Sequence, residues 1–238
     1  TAFSNLFGRG GAPLASIKLG EKNPKEAERI LGNAFSSLIL TSLIIMFCLF
    51  VWGDKILILF GASQKTLPYA LSYLRIYAVG TVFIQLTVGL NYFINTQGYA
   101  KFGMMTLLIG GILNIILDPI FIYVLHMNVA GAALATPIAK IPCAVIALIV
   151  LTRPEQLIRI NFRGFKFDKS KMGSIVKIGL PTAIGGSTMQ LGFLLMTKNV
   201  NAYGFIATSA YGIGNKINSI ITMPANGIGS AISTIVGQ

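Results

Sequence analysis

Apolar residues run along this chain in blocks of about twenty or more, and the polar residues collect in the gaps between them. A helix needs about 20 apolar residues to cross the hydrocarbon of a bilayer, so each block predicts a membrane-spanning helix. The clearest is 32–53, GNAFSSLILTSLIIMFCLFVWG, which ends near Trp52, a residue suited to the headgroup interface. Further spans are predicted at 68–97, 103–125, 129–151, 178–200 and 205–237. Residues 1–20, rich in Gly, Ala and Ser, look like the end of another span, since small residues let membrane helices approach closely. That makes seven spans, with the first and last incomplete. Between them, Asn23-Pro24 reads as a cap and first-turn proline, with Glu26 and Glu28 in the opening turns of the next helix. Asp54 and Lys55 lead into ILILFGASQKTL, read as an interfacial segment or short loop, and Tyr99–Phe102 reads as a tight turn. The fold class is all-α, a polytopic integral membrane helix bundle.

Composition agrees and adds an orientation. Hydrophobic residues make up 54% and charged residues 11%, with a mean hydropathy of +0.73, which excludes a soluble globular domain. A net charge of +12 would suit a nucleic-acid binder, but the basic residues sit in the gaps rather than on one patch. The gaps 18–29, 99–103 and 152–177 fall on one side and hold twelve Lys and Arg, including Arg163 and Lys166. The other side holds four, Lys55, Lys65, Arg75 and Lys198. The positive-inside rule puts the twelve in the cytoplasm, against anionic lipid. The bilayer, not nucleic acid, is the expected partner. Cys48 and Cys143 both lie in apolar runs, without the spacing of a metal site or the setting of a disulfide. The single histidine, His126, stands in an external turn with no catalytic set around it, and no glycine run forms a phosphate loop, so no enzyme and no cofactor is expected.

Asp118 changes the picture most. It interrupts the span GGILNIILDPIFIYVL, where a charge at mid-membrane costs roughly 2.5–3.5 kcal/mol. Asn114 lies one turn before it on the same face, and Pro119 directly after it loosens the helix. Thr136 is on the next span, across the short turn HMNVAG, at a similar distance from the turn's middle. Carboxylate, amide and hydroxyl together suit Na⁺ or a protonatable carboxylate; the alternative is a structural hydrogen-bond cluster between helices. Lys140, one turn beyond Thr136, either pairs with Asp118 or snorkels away. A salt bridge there would hold Asp118 ionised and argue against simple proton carriage. Asn91, Asn95 and Gln97 form a second polar set, lining a substrate cavity or bonding one helix to another. Arg9 is out of place in its small-residue helix, and faces an aqueous cavity or headgroups rather than lipid. Asn215 and Lys216 in the last span read as cavity-lining.

A repeat bears on how the spans are grouped. Gly10, Ser16 and Gly20 recur as Gly227, Ser233 and Gly237, a constant offset of 217 residues. Such an offset suits a transporter built from two related halves. A span precedes the second copy at 178–200, so a counterpart helix is expected some forty residues upstream of Thr1.

GGAPLASIKLGEKNPKEAERI, NIILDPIFI followed by GAALAT, and GLPTAI leading to MPANGIGSAISTIVGQ resemble the MATE family of multidrug and toxic compound extrusion transporters, in the family's order and over essentially the whole chain. The resemblance implies seven of twelve membrane helices, two to eight, in two lobes. Residues 1–151 would be most of the N-terminal lobe, 152–177 the cytoplasmic inter-lobe linker and 178–238 the start of the C-terminal lobe. Asn114, Asp118 and Thr136 match the first-lobe coupling cluster of the branch similar to DNA-damage-inducible protein F. The branch similar to NorM carries an acid where Met189 and Gln190 stand here. Lys140 has no place in the family pattern. The resemblance implies a secondary antiporter of a prokaryotic plasma membrane, a monomer when full length, exporting small organic and often cationic substrates for H⁺ or Na⁺. A lipid-linked oligosaccharide flippase of the same superfamily, with more cationic residues in its cavity, and a non-transporting scaffold or receptor are the alternatives.

Overall fold

The computed structural model describes residues 2–60, 64, 66–154, 156–160 and 167–236, the side chains of 205, 226, 227 and 229–236 excepted. Seven long helices account for the described chain: α1 (Ala2–Gly20), α2 (Pro24–Leu59), α3 (Leu67–Thr96), α4 (Ala100–Pro119), α5 (Asn128–Thr152), α6 (Lys169–Asn201) and α7 (Phe205–Val236). A π-helical segment, Ile120–Val124, continues α4. No strand occurs among the described residues. Five helices are long and apolar enough to cross a membrane, namely α2, α3, α4 with its π-helical extension, α5 and α6. Two compact units divide the chain, Thr1–Gly185 and Gly186–Gln238.

Within the first unit α3 is the hub, packing on α1, α2, α4 and α5, while α4 also packs on α5. Leu31, Leu38, Leu90, Phe93, Ile94, Leu151 and Ile175 are fully buried in the shared core. Apart from Ser4 Oγ and Gln156 Oε1, which have no partner among the described residues, polar side chains that enter that core are hydrogen-bonded, as the absence of water demands. Ser37 Oγ donates to Asn33 O at 2.8 Å, and Thr41 Oγ1 to Ser37 O at 2.6 Å. Glycine sets the closest approach: a Cβ on Gly179 would run into the Leu6 carbonyl, and one on Gly10 into Ile175 O. The backbones of α1 and α6 therefore touch.

The element boundaries differ from the sequence reading where local chemistry is stronger than hydropathy. Asn23 does cap α2, its Oδ1 accepting from Glu26 N at 3.3 Å, with Pro24 in the first turn. Yet α2 runs on through ILIL to Leu59, with no proline from Lys25 onward to break it. The tight turn lies at 97–99, two to three residues early. Gly98 takes a left-handed φ of +84°, and its N–H and that of Tyr99 return to Asn95 O and Ile94 O at 3.0 and 3.3 Å. This double closure ends α3 and leaves Ala100 free to start α4. Pro137 and Pro142 do not break α5. Membrane helices tolerate proline where neighbours cover the gap, and Gly80 of α3 lies against Pro137.

Part of the polar connection is also helical. Asp168 Oδ1 accepts from Ser170 N and Lys171 N at 2.9 and 3.4 Å, so α6 starts at Lys169, inside the 152–177 stretch. Arg163, Lys166 and Lys65 of the charge reading lie outside the described residues, as does Gly237 of the repeat.

Candidate functional site

Asp118, Asn114 and Gly110 are spaced by four, so they form one stripe along α4. α5 meets that stripe antiparallel. Asn114 Nδ2 donates to Thr136 Oγ1 at 3.3 Å, and Lys140 Nζ lies 3.2 Å from where a Cβ on Gly110 would stand. The register pairs 114 with 136 and 110 with 140, which leaves Asp118 one turn closer to the connecting turn than Thr136. The sequence reading sets Asp118 at the depth of Thr136; the structure instead pairs Asn114 with Thr136.

The offset has a physical source in Pro119. Proline has no N–H, so the carbonyl of Ile115 loses its helical donor. The next residues close wider rings: Leu125 N donates to Ile120 O at 2.9 Å, five residues back, and Met127 N to Phe121 O at 3.0 Å. A π-helical turn adds a residue to one side of the helix pair and so shifts the register by part of a turn. Gly131, at the start of GAALAT, allows α5 to lie directly on this segment, since a Cβ there would come within 2.8 Å of the Phe121 carbonyl.

Asp118 is half-buried and takes no hydrogen bond or ion pair from any described residue. Lys140 does not pair with it. Facing Gly110, it sits two turns away along α4, about 12 Å of helix rise. Asp118 therefore stands as an unsatisfied carboxylate, with one amide, one hydroxyl and one freed carbonyl nearby. It lies six residues, roughly 9 Å, from the π-helical end of its span and eighteen, roughly 27 Å, from Ala100. Among the described residues no three of His, Cys, Asp and Glu converge. A cation held here would rest on one carboxylate and neutral oxygens.

The second polar set divides. Asn91 is buried, its Nδ2 donating to Gly103 O at 2.9 Å and to Thr106 Oγ1 at 2.8 Å, while its Oδ1 accepts from Asn95 Nδ2 at 3.0 Å. Asn91 thus bonds α3 to α4 across the turn, while Asn95 bonds to Asn91 within α3. Gln97 serves another partner. Its Oε1 accepts from Ile158 N at 2.9 Å and its Nε2 donates to Phe93 O at 3.3 Å. Gln97 and Ile158 are both buried, so this pair holds the connection after α5 against the bundle.

Other contacts tie the same connection to α2. Lys171 pairs with Glu26, Arg159 with Glu28 at 3.3 Å, and Asn33 Oδ1 accepts from Asp168 N at 2.9 Å. Glu26 also accepts from Arg29 at 3.0 Å. The Lys171 hydrogen bond, helped by the charges of Lys171 and Arg29, holds the Glu26 carboxyl below its ordinary range despite partial burial. A polar chain on α1 was signalled in sequence only by the oddity of Arg9. Arg9 Nε donates to Tyr92 OH at 2.9 Å, and Tyr92 OH donates to Asn5 Oδ1 at 2.9 Å.

The chain matches the MatE family model over residues 1–120 and 181–238. It is 32% identical over 216 residues to the multidrug export protein MepA of Staphylococcus haemolyticus (strain JCSC1435), covering 91% of this chain and 48% of that protein. Similarity to MepA of Staphylococcus aureus (strain MRSA252) is 29% over 213 residues, or 90% and 47%. Its fold is similar to that of a multidrug resistance MATE family transporter of the MOP superfamily solved in an inward-facing conformation. There the TM-score is 0.87 at 21% identity, over 94% of this chain and 51% of that one. A MATE structure in a bent conformation gives 0.85 at 22% identity, over 98% and 53%. The chain spans about half the length of the relatives it matches.

Proposed function

The chain belongs to the MatE family, and from that premise we propose that it forms part of a secondary active multidrug antiporter, exporting organic and often cationic substrates in exchange for H⁺ or Na⁺. In this reading residues 1–151 are most of the first lobe, 152–177 the inter-lobe linker and 178–238 the start of the second lobe. The gaps at 18–29, 99–103 and 152–177 face the cytoplasm of a bacterial cell.

One observation carries the coupling role: the Asp118 carboxylate, unpaired among the described residues, stands two residues before a π-helical turn and one turn from the Asn114–Thr136 hydrogen bond. An ionisable group inside a membrane helix is a functional site by default, because nothing else offsets its cost. π-Helical turns are strained and recur at functional sites. A proton or Na⁺ on Asp118 would remove the charge that its apolar surroundings disfavour. Asn114, Thr136 and the freed Ile115 carbonyl supply the remaining oxygens for a cation, and Lys140, two turns off, leaves the carboxylate available. With the ion bound, α4 and α5 can close around a neutral site; with it released, Asp118 draws water and parts them. One charge moving down ~100 mV supplies ~2.3 kcal/mol. At about 1.4 kcal/mol per tenfold, that sustains roughly a fiftyfold gradient of an uncharged substrate; for a monocation exchanged one for one the potential cancels, and the ion's concentration gradient drives export.

The test is Asp118→Asn in the complete protein, reconstituted in liposomes with an imposed ion gradient. Gradient-driven dye efflux is expected to fall to background while equilibrium dye binding persists. Efflux with unchanged ion dependence would sink the coupling role.

A further inference from the structure

Arg9 lies eleven residues before the end of α1, about 16 Å of helix rise, which is half the thickness of a bilayer core. It is too deep to reach the headgroups at that end with its own side chain. Between Ser4 and Lys18 the exposed residues of α1 are Arg9, Pro13 and Ile17, a single stripe spaced by four. The rest of the helix is covered by α2, α3 and the first half of α6. Lipid-exposed faces of this bundle look different: α2 shows Leu40, Ile44 and Phe47, and α4 shows Ile112, Ile115 and Ile116. A narrow stripe carrying a guanidinium, with Asn5 at its upper end, is a lining and not a lipid face.

The guanidinium is also held in one orientation. The Tyr92 ring lies on α1 at Gly8, where a Cβ would run into it. Its hydroxyl accepts from Arg9 Nε and donates to Asn5 Oδ1, both at 2.9 Å, and the Arg9 guanidinium carbon sits 5.4 Å from the ring centre. Only one of the five N–H donors is thereby used. Among the described residues the two terminal nitrogens have no acceptor and no carboxylate within 4.0 Å. A fixed planar fork of free N–H groups matches a carboxylate through two parallel hydrogen bonds.

We propose that Arg9, oriented by Tyr92 and Asn5, is a binding subsite for a carboxylate carried by the transported amphiphile. Zwitterionic or acid-bearing substrates are then handled as well as purely cationic ones. The inference rests on the export reading above but not on Asp118.

A matched dye pair tests it in the complete protein: rhodamine 110, which carries a free carboxylate, and rhodamine 123, its methyl ester. Arg9→Gln is expected to raise KM for rhodamine 110 about tenfold or more and leave rhodamine 123 unchanged. Arg9→Lys should recover part of the loss, because a lysine keeps the charge but not the fork. Tyr92→Phe, which frees the guanidinium without removing it, should fall between. Equal loss of both dyes in Arg9→Gln would mean a structural role and overturn the proposal, as would no change in either. Should neither dye be exported, the export reading fails, and fluorescence anisotropy on purified protein decides the subsite alone. Rhodamine 110 binding that Arg9→Gln does not weaken overturns it.

Discussion

One methyl group separates Gly179 from alanine, and at that position it would strike the carbonyl of Leu6. Backbone cannot swing aside as a side chain can, so α1 and α6 would have to part. Gly179→Ala is expected to destabilise the protein by about 1–3 kcal/mol. In the same helix a Cβ on Gly173 meets nothing within 4 Å, so Gly173→Ala should be neutral or stabilise by up to about 1 kcal/mol through helix propensity. Melting of the two purified variants beside wild type checks the contrast. Neither outcome could be read from the sequence, where both are glycines in a helix. Asp118 and Asn114 were legible because a charge in an apolar run announces itself and spacing by four fixes the face. Gln97 was not. Its partner is a backbone N–H some sixty residues later, and no local pattern reveals where a chain returns.

At the scale of elements, the spans were legible from hydropathy, while their ends were set by caps and turns. The left-handed Gly98 moved one boundary, and Asp168 recruited part of a polar connection into α6. The π-helical turn was hidden for a different reason. Pro119 marks a weak point, but whether the helix kinks, stops or widens there depends on what α5 presses against it. The start of α6 yields a pH prediction. Glu26, in the polar first turn of α2, is held below its ordinary range first by the Lys171 hydrogen bond. A depressed carboxyl binds fewer protons folded than unfolded. Its contribution is therefore present above the ordinary glutamate value, about 4.3, and is lost as pH falls through the lower folded value. Wild type should melt above Glu26→Gln at pH 7, by a small margin for a pair this close to water. The two should converge as the pH is lowered past 4. A gap that stayed constant would show that the Lys171–Glu26 pair is not its source.

For the whole molecule, the proposed topology has α2, α3 and α4 cross the bilayer in turn, which puts the α1–α2 turn and the α4–α5 turn on opposite faces of the membrane. With the native Cys48 and Cys143 replaced, a cysteine at Lys22 should label only from the cytoplasmic side and one at His126 only from outside, read with an impermeant maleimide on intact cells and inverted vesicles. The opposite pattern would reverse the orientation taken from the basic loops. The backbone contact between α1 and α6 also has a meaning in time. α1 is not among the five helices apolar enough to span by themselves, and Gly10 precedes Gly179 by about 170 residues. At synthesis rates of about 5–20 residues per second, α1 waits roughly 10–30 s for that partner to emerge. Over that interval the partners of this glycine-rich, arginine-bearing segment among the described helices are α2 and then α3. The order in which the ribosome delivers the helices thus leaves α1 without its α6 contact for as long as α6 is still being made.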